Sequence, residues 1–324
     1  MKGQLAADDA LVVGMNSQLG DLLRHDPAGI TAPERVDLVM GDGAVIRLRR
    51  HAGRRKTRLV MSHGNGMAIN ADAPFWKLFA GDYDLVIFDV RNHGENPFHP
   101  EGHDWDRFAD DFEEIFNGIN EQFGPMPTVG VFHSLSSIAA VMQVNKYGRR
   151  WAGIVLFDPP IMPPAKHPLH VIEAEHMADM TMRALRRATH YDFPGEMTRQ
   201  LEARPAFGKW TAGAHALFAR STLRETDGGR WTLACPRELE ARIFETNIDE
   251  AVWPSLAHID VPMLLVGADP ANPHSSPPAR ITRAIHEDLG IPYVLVKDTT
   301  HFLQIEDPRG CHLAVTEFLN AHGW

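Results

Sequence analysis

A chain of 324 residues is long enough for one large domain or two smaller ones. Its 44% hydrophobic and 23% charged residues are the proportions of a globular protein with a full core. A net charge of −10 argues against nucleic acid or an anionic membrane as the main partner, and no run approaches the roughly 20 apolar residues that cross a bilayer.

Two cysteines, Cys235 and Cys311, predict reduced, unrelated thiols rather than a disulfide framework or a metal site. The N-terminus lacks the apolar core of a signal peptide, so the expectation is a soluble cytoplasmic protein. Residues 1–33 carry scattered leucines before Asp26-Pro27 and Pro33 break the pattern. They predict a helical extension outside the core, and a homodimer contact there is left open.

From residue 35 the pattern turns to strands. Residues 36–40 and 44–49 flank Gly41-Asp42-Gly43, a hairpin signal, and residues 58–61 form a further strand. That strand ends in Ser62-His63-Gly64-Asn65-Gly66 and leads to a helical stretch at 74–79. Residues 84–90 are a continuous apolar run of the buried parallel kind, stopping at Arg91-Asn92-His93-Gly94. Trp105, Phe108, Phe112, Ile115, Phe116, Ile119 and Phe123 then recur at helical spacing, with Asp104 or Asp106 as cap and Gly124-Pro125 as stop.

The stretch 128–142 has the most to say about chemistry. A β-rich run at 128–132 meets His133-Ser134-Leu135-Ser136 and passes at once into an alanine-containing helix. A strand that becomes a helix within about four residues must bend tightly, with Ser134 at the tip; this is the layout of a nucleophile elbow. Further strands are expected at 153–157, ending in Asp158-Pro159-Pro160, at 261–266, ending in Gly267-Ala268-Asp269, and at 293–297, ending before His301. Helices are expected near 278–289 and 308–321.

Strands alternating with helices predict an α/β fold with a doubly wound, mostly parallel sheet. Its site would lie at the carboxyl ends of the strands, where the His63 turn, Arg91, Ser134, Asp158, Asp269 and His301 all fall. Residues 161–257 interrupt the alternation and predict an inserted helical cap between core segments 34–160 and 258–324.

Five ordered motifs, spanning about residues 35–324, resemble those of capped α/β-hydrolases of the Ser-His-Asp type. They are His63–Gly66 as oxyanion loop, Asp89-x-Arg91-x-x-Gly94, His133-Ser134 in the elbow, Gly267-Ala268-Asp269 as acid loop and Thr300-His301-Phe302 as histidine loop. Trp210 and the stretch from Trp231 to Ala241 resemble esterase- or lipase-like members.

The resemblance implies an α/β-hydrolase fold with Ser134 as nucleophile, His301 as base and Asp269 as the acid, Asp158 being the alternative acid. It implies an oxyanion hole from the Asn65 and Leu135 amides, with Gly64, Gly66, Met67 and Phe302 near the substrate. Phe132 departs from the pattern, which has a small residue two before the nucleophile. It predicts a shifted neighbouring strand or a looser elbow. His63 and His133 are expected to hold loops, and Asp89 with Arg91 to form a structural turn pair.

The expected activity is hydrolysis of a small-to-medium hydrophobic carboxylic ester, with neither organic cofactor nor metal. Methionines 162, 177, 180, 182 and 197 suggest an adaptable apolar cap. The same triad would equally serve C–C, lactone or amide hydrolysis or acyl transfer. A weakly catalytic ligand receptor on this fold is the alternative of another class.

Overall fold

The computed structural model describes residues 32–247 and 249–324. The extension expected over residues 1–33, with any dimer contact it makes, lies outside the described residues except for its last two positions.

Strands β1 (Glu34–Val39) and β2 (Val45–His51) form the predicted antiparallel hairpin, with Leu38 opposite Ile46. Gly43 takes φ +89° in its turn, and Met40 N–H reaches the Ala44 carbonyl at 2.8 Å. Next come β3 (Arg58–Ser62), β4 (Asp84–Phe88), helix α1 (Trp105–Phe123), β5 (Thr128–His133), helix α2 (Leu135–Tyr147) and β6 (Gly153–Phe157).

An insert follows. It holds α3 (His170–Leu185), β7 (His190–Tyr191), α4 (Pro194–Glu202), α5 (Ala214–Thr222), β8 (Leu223–Glu225), β9 (Trp231–Leu233) and α6 (Arg237–Glu245). The chain returns through β10 (Met263–Gly267), α7 (Pro277–Leu289), β11 (Tyr293–Leu295) and α8 (Pro308–Ala321).

The main sheet has eight strands in the order β1-β2-β4-β3-β5-β6-β10-β11, parallel from β4 onward. Every residue of β3, β4, β5, β6 and β10 is buried, as strands covered on both faces require. Alternate residues feed two cores. Val60, Val86, Phe88, Ile154, Leu156 and Leu265 face one, and Leu59, Met61, Leu85, Ile87, Val155, Phe157, Leu264 and Val266 the other.

Helix α1 supplies Phe108, Phe112, Ile115 and Ile119 to the first core. Its cap is Asp104, whose carboxylate accepts the Arg107 N–H at 2.9 Å, and it ends at Gly124 with φ +79°. The stretch expected to be a helix at 74–79 is a single turn, Ala73–Trp76.

The insert differs from an all-helical expectation. It contains a small antiparallel sheet, β7-β9-β8, built partly from Trp231-Thr232-Leu233. Strands of two or three residues are too short to leave a period-two signal. Its own core, with Tyr191, Met197, Leu201, Trp210, Phe218 and Leu233, also takes in Met67, Ala71 and Ile305 from outside the insert. Among the described residues no helix is long and apolar enough to cross a membrane.

Candidate active site

Ser134 sits between β5 and α2 with φ +52° and ψ −113°, a backbone that costs a non-glycine residue about 1–3 kcal/mol. Local bonds hold the bend. Ser136 Oγ donates to the His133 carbonyl and accepts the His133 N–H, both at 2.9 Å, and Ser137 Oγ donates to the Phe132 carbonyl at 2.9 Å. Ser134 N–H reaches across to the Phe157 carbonyl of β6 at 3.0 Å.

Phe132 loosens nothing. Its ring folds back over Gly130, where an added Cβ would stand 2.3 Å from the ring, and rests on Phe112 and Trp151 at centroid distances of 5.2 Å. The register of β5 with β3 and β6 runs unbroken beside it.

His301 Nε2 lies 3.1 Å from Ser134 Oγ, and His301 Nδ1 lies 2.7 Å from Asp158 Oδ2. A carboxylate at Nδ1 fixes the tautomer that leaves Nε2 free to accept the serine proton. Asp158 is fully buried, with φ +44°. Its Oδ1 also accepts from Ala268 N–H and Thr282 Oγ, each at 3.3 Å.

The structure does not bring the expected acid, Asp269, to His301. Asp269 spends both oxygens on its own loops, accepting Ala271 N–H and Asp298 N–H at 2.9 Å each. These two amides hold its carboxyl below the usual carboxylate range. The alternative, Asp158 at the end of β6, is the carboxylate that meets His301.

Gly64 packs directly on Ser134, since a Cβ there would stand 3.1 Å from Ser134 Cβ and 3.1 Å from Met67 Sδ. Gly64 carbonyl accepts Met67 N–H at 3.2 Å and Gly66 N–H donates to His93 Nε2 at 3.1 Å. Among the described residues no acceptor is assigned to the Asn65 amide between them. Leu135, the first residue of α2, likewise presents an amide with no intrahelical partner.

Gly66 stands against Glu240 and Arg187 of the insert. A Cβ there would meet the Glu240 carboxylate at 2.5 Å and Arg187 Nη1 at 2.9 Å. Those two form an ion pair at 2.6 Å, and the Glu240 carbonyl accepts Asn65 Nδ2 at 2.8 Å. Sequence reading missed both, because nothing in α6 marks a residue that will touch a loop some 175 positions earlier.

The buried histidines act as expected. His63 donates from Nδ1 to the Gly64 carbonyl at 2.8 Å and accepts Val90 N–H at 3.1 Å, and burial keeps its pKa low. His133, also pushed low chiefly by burial, donates from Nε2 to the His301 carbonyl at 2.9 Å. Asp89 and Arg91 do not pair with each other as predicted. Asp89 binds Arg49 at 2.9 Å, whereas Arg91 binds Asp111 at 2.6 Å and Asp42 at 2.8 Å.

Phe302, next to His301, belongs to an aromatic cluster with Phe207, Trp210 and Phe218 of the insert. Glu306 clamps the same loop, accepting Thr300 N–H at 2.5 Å and Thr300 Oγ at 2.7 Å. Among the described residues no group of three or more His, Cys, Asp or Glu is placed to hold a metal ion. Cys235 and Cys311 are buried free thiols.

A strained serine between strand and helix, met by a histidine and a buried carboxylate at the ends of parallel strands, defines the hydrolase class of this fold. The profile of the alpha/beta hydrolase family matches residues 59–312, and the chain belongs to that family.

Solved structures agree on the fold. That of an E-2-(acetamidomethylene)succinate hydrolase is similar at 21% identity and a TM-score of 0.70, covering 89% of this chain and 98% of its own. An alpha/beta hydrolase from Novosphingobium aromaticivorans gives 16% and 0.70 over 90% and 99%. A thermophilic esterase from Thermogutta terrifontis gives 17% and 0.64 over 89% and 98%. Among curated protein sequences none matches this chain.

Proposed function

We propose that this chain is a serine hydrolase that cleaves a small-to-medium carboxylic ester through an acyl-enzyme. The observation that carries this reading is the hydrogen-bonded line from Ser134 Oγ through His301, at 3.1 Å, to Asp158, at 2.7 Å. His301 takes the serine proton as Oγ attacks the acyl carbon, then returns it to the departing alcohol. Water activated by the same ring releases the acid. Asp158 holds the ring and stabilises the imidazolium.

The oxyanion falls to the Leu135 and Asn65 amides, donors typically worth about 3–4 kcal/mol each in the transition state. Glycine at 64 lets the second of them approach. The insert, residues 161–257, is the cap over this site in our reading. Of its methionines, Met162, Met177 and Met197 are buried and Met182 is exposed. Met67, on the Gly64 loop, shares with Ser134 the space beside the Gly64 Cα.

Labelling with a fluorophosphonate probe and peptide mapping tests the reading, alongside turnover of p-nitrophenyl acetate, butyrate and octanoate. Label on Ser134 is expected, lost in Ser134→Ala and His301→Ala, with kcat falling about a millionfold in either variant. A folded chain that takes no label and turns over no ester would instead be a ligand receptor on this fold.

A further inference from the structure

Helix α3 carries a carboxylic acid that the triad does not use. Glu173 is fully buried, and neither of its oxygens has a hydrogen-bond partner within the protein. A buried polar group in that condition is costly unless a ligand or an ordered water meets it. Its surroundings are those of the triad. Burial, reinforced by the nearby Asp158 charge, holds the Glu173 carboxyl well above the carboxylate range. His176, nearly one turn further along α3, feels the charges of His301 and Asp158. Burial leaves it a neutral ring, its pKa brought down to about 4.

Glu173, Met177 and Ala184 form the buried face of α3. Arg187, just past the end of that helix, stands against Gly66 of the oxyanion loop. The inner face of α3 therefore runs from Glu173, which feels the Asp158 charge, toward the Gly66 loop.

We propose that Glu173 is a substrate-binding residue of this site, its carboxyl hydrogen-bonded to an uncharged amide or carboxamide of the substrate beneath α3. The inference rests on the serine-hydrolase reading and names the polar feature of its substrate. A protonated carboxyl offers one O–H and one carbonyl oxygen, the complement of an amide C=O and N–H. A substrate anion at this place would be repelled by Asp158, which His301 needs ionised.

The test compares matched esters with and without an amide. p-Nitrophenyl pentanoate and p-nitrophenyl N-acetylglycinate vary the acyl side; pentyl butyrate and 2-acetamidoethyl butyrate vary the alcohol side. In Glu173→Leu the amide-to-alkyl ratio of kcat/KM is expected to fall about tenfold in one pair, equivalent to about 1.4 kcal/mol. Glu173→Gln, which keeps a donor and an acceptor, should hold that ratio within about threefold. Glu173→Met replaces the leucine variant should the latter fail to fold.

Unchanged ratios in both pairs, with Ser134 still labelled by fluorophosphonate, would overturn the proposal and make Glu173 a structural acid met by buried water. Loss in Glu173→Gln as deep as in Glu173→Leu would overturn the uncharged ligand in favour of a cation. Wild-type protein that takes no label fails the hydrolase reading itself, and this inference with it.

Discussion

Ser134 and Asp158 both hold positive φ, at +52° and +44°, and both lie at the end of a parallel strand where their side chains meet His301. Neither backbone would persist unless neighbours over-determined it. At Ser134 the Ser136 and Ser137 hydroxyls do so, and Gly130 makes room for the one bulky residue in the elbow. Gly130→Ala should destabilise the fold by about 1–3 kcal/mol in urea unfolding, because its methyl would collide with the Phe132 ring. Gly64→Ala acts on chemistry instead. Its Cβ would crowd Ser134 Cβ at 3.1 Å, so kcat/KM for p-nitrophenyl acetate should fall at least about tenfold with little change in Tm. Phe132 was legible as a departure from the elbow pattern. Its remedy was not, since seeing it requires knowing that positions 130 and 132 share a face and that the ring folds backward.

The element that presents His301 is a loop held from two sides. Glu306 clamps it from within, and the insert holds it from outside through Phe207, Trp210 and Phe218 around Phe302. Thr211 adds bonds from its N–H and Oγ to the Ile305 carbonyl, at 3.3 Å and 2.9 Å. Trp210→Ala should therefore cost about 3–5 kcal/mol and lower kcat well below the melting temperature, whereas Trp210→Phe should recover most of the kcat. Equal kcat in both variants would separate the cluster from catalysis. Long periodic elements such as Trp105–Phe123 were readable from the sequence because their apolar spacing is dictated by one face. The strands of the insert are too short for any period to show, and the Glu240–Arg187 pair beside Gly66 is a contact of tertiary packing alone.

For the whole molecule, a buried carboxyl that makes no bond to Ser134, His301 or Asp158 links stability to pH. Asp72 is buried with both oxygens unpartnered, and burial pushes its pKa up to about 8 from the ordinary 3.8. The folded state thus keeps a proton that the unfolded chain loses. The contribution is fully present below about pH 4 and is lost at about 1.4 kcal/mol per pH unit as pH rises toward about 8. Asp72→Asn should remove this slope, read as the difference between the two unfolding free energies across that range. At the same scale the sheet decides which strand serves the base. The usual acid position after β10 was the natural reading of Gly267-Ala268-Asp269. In the structure the buried end of β6 meets His301 Nδ1 instead, while Asp269 bonds to two loop amides. Measuring kcat/KM for p-nitrophenyl acetate in Asp158→Asn and Asp269→Asn tests that assignment most directly. Asp158→Asn should lose on the order of 10⁴-fold and Asp269→Asn no more than about threefold. A collapse confined to Asp269→Asn would contradict the Ser134–His301–Asp158 triad.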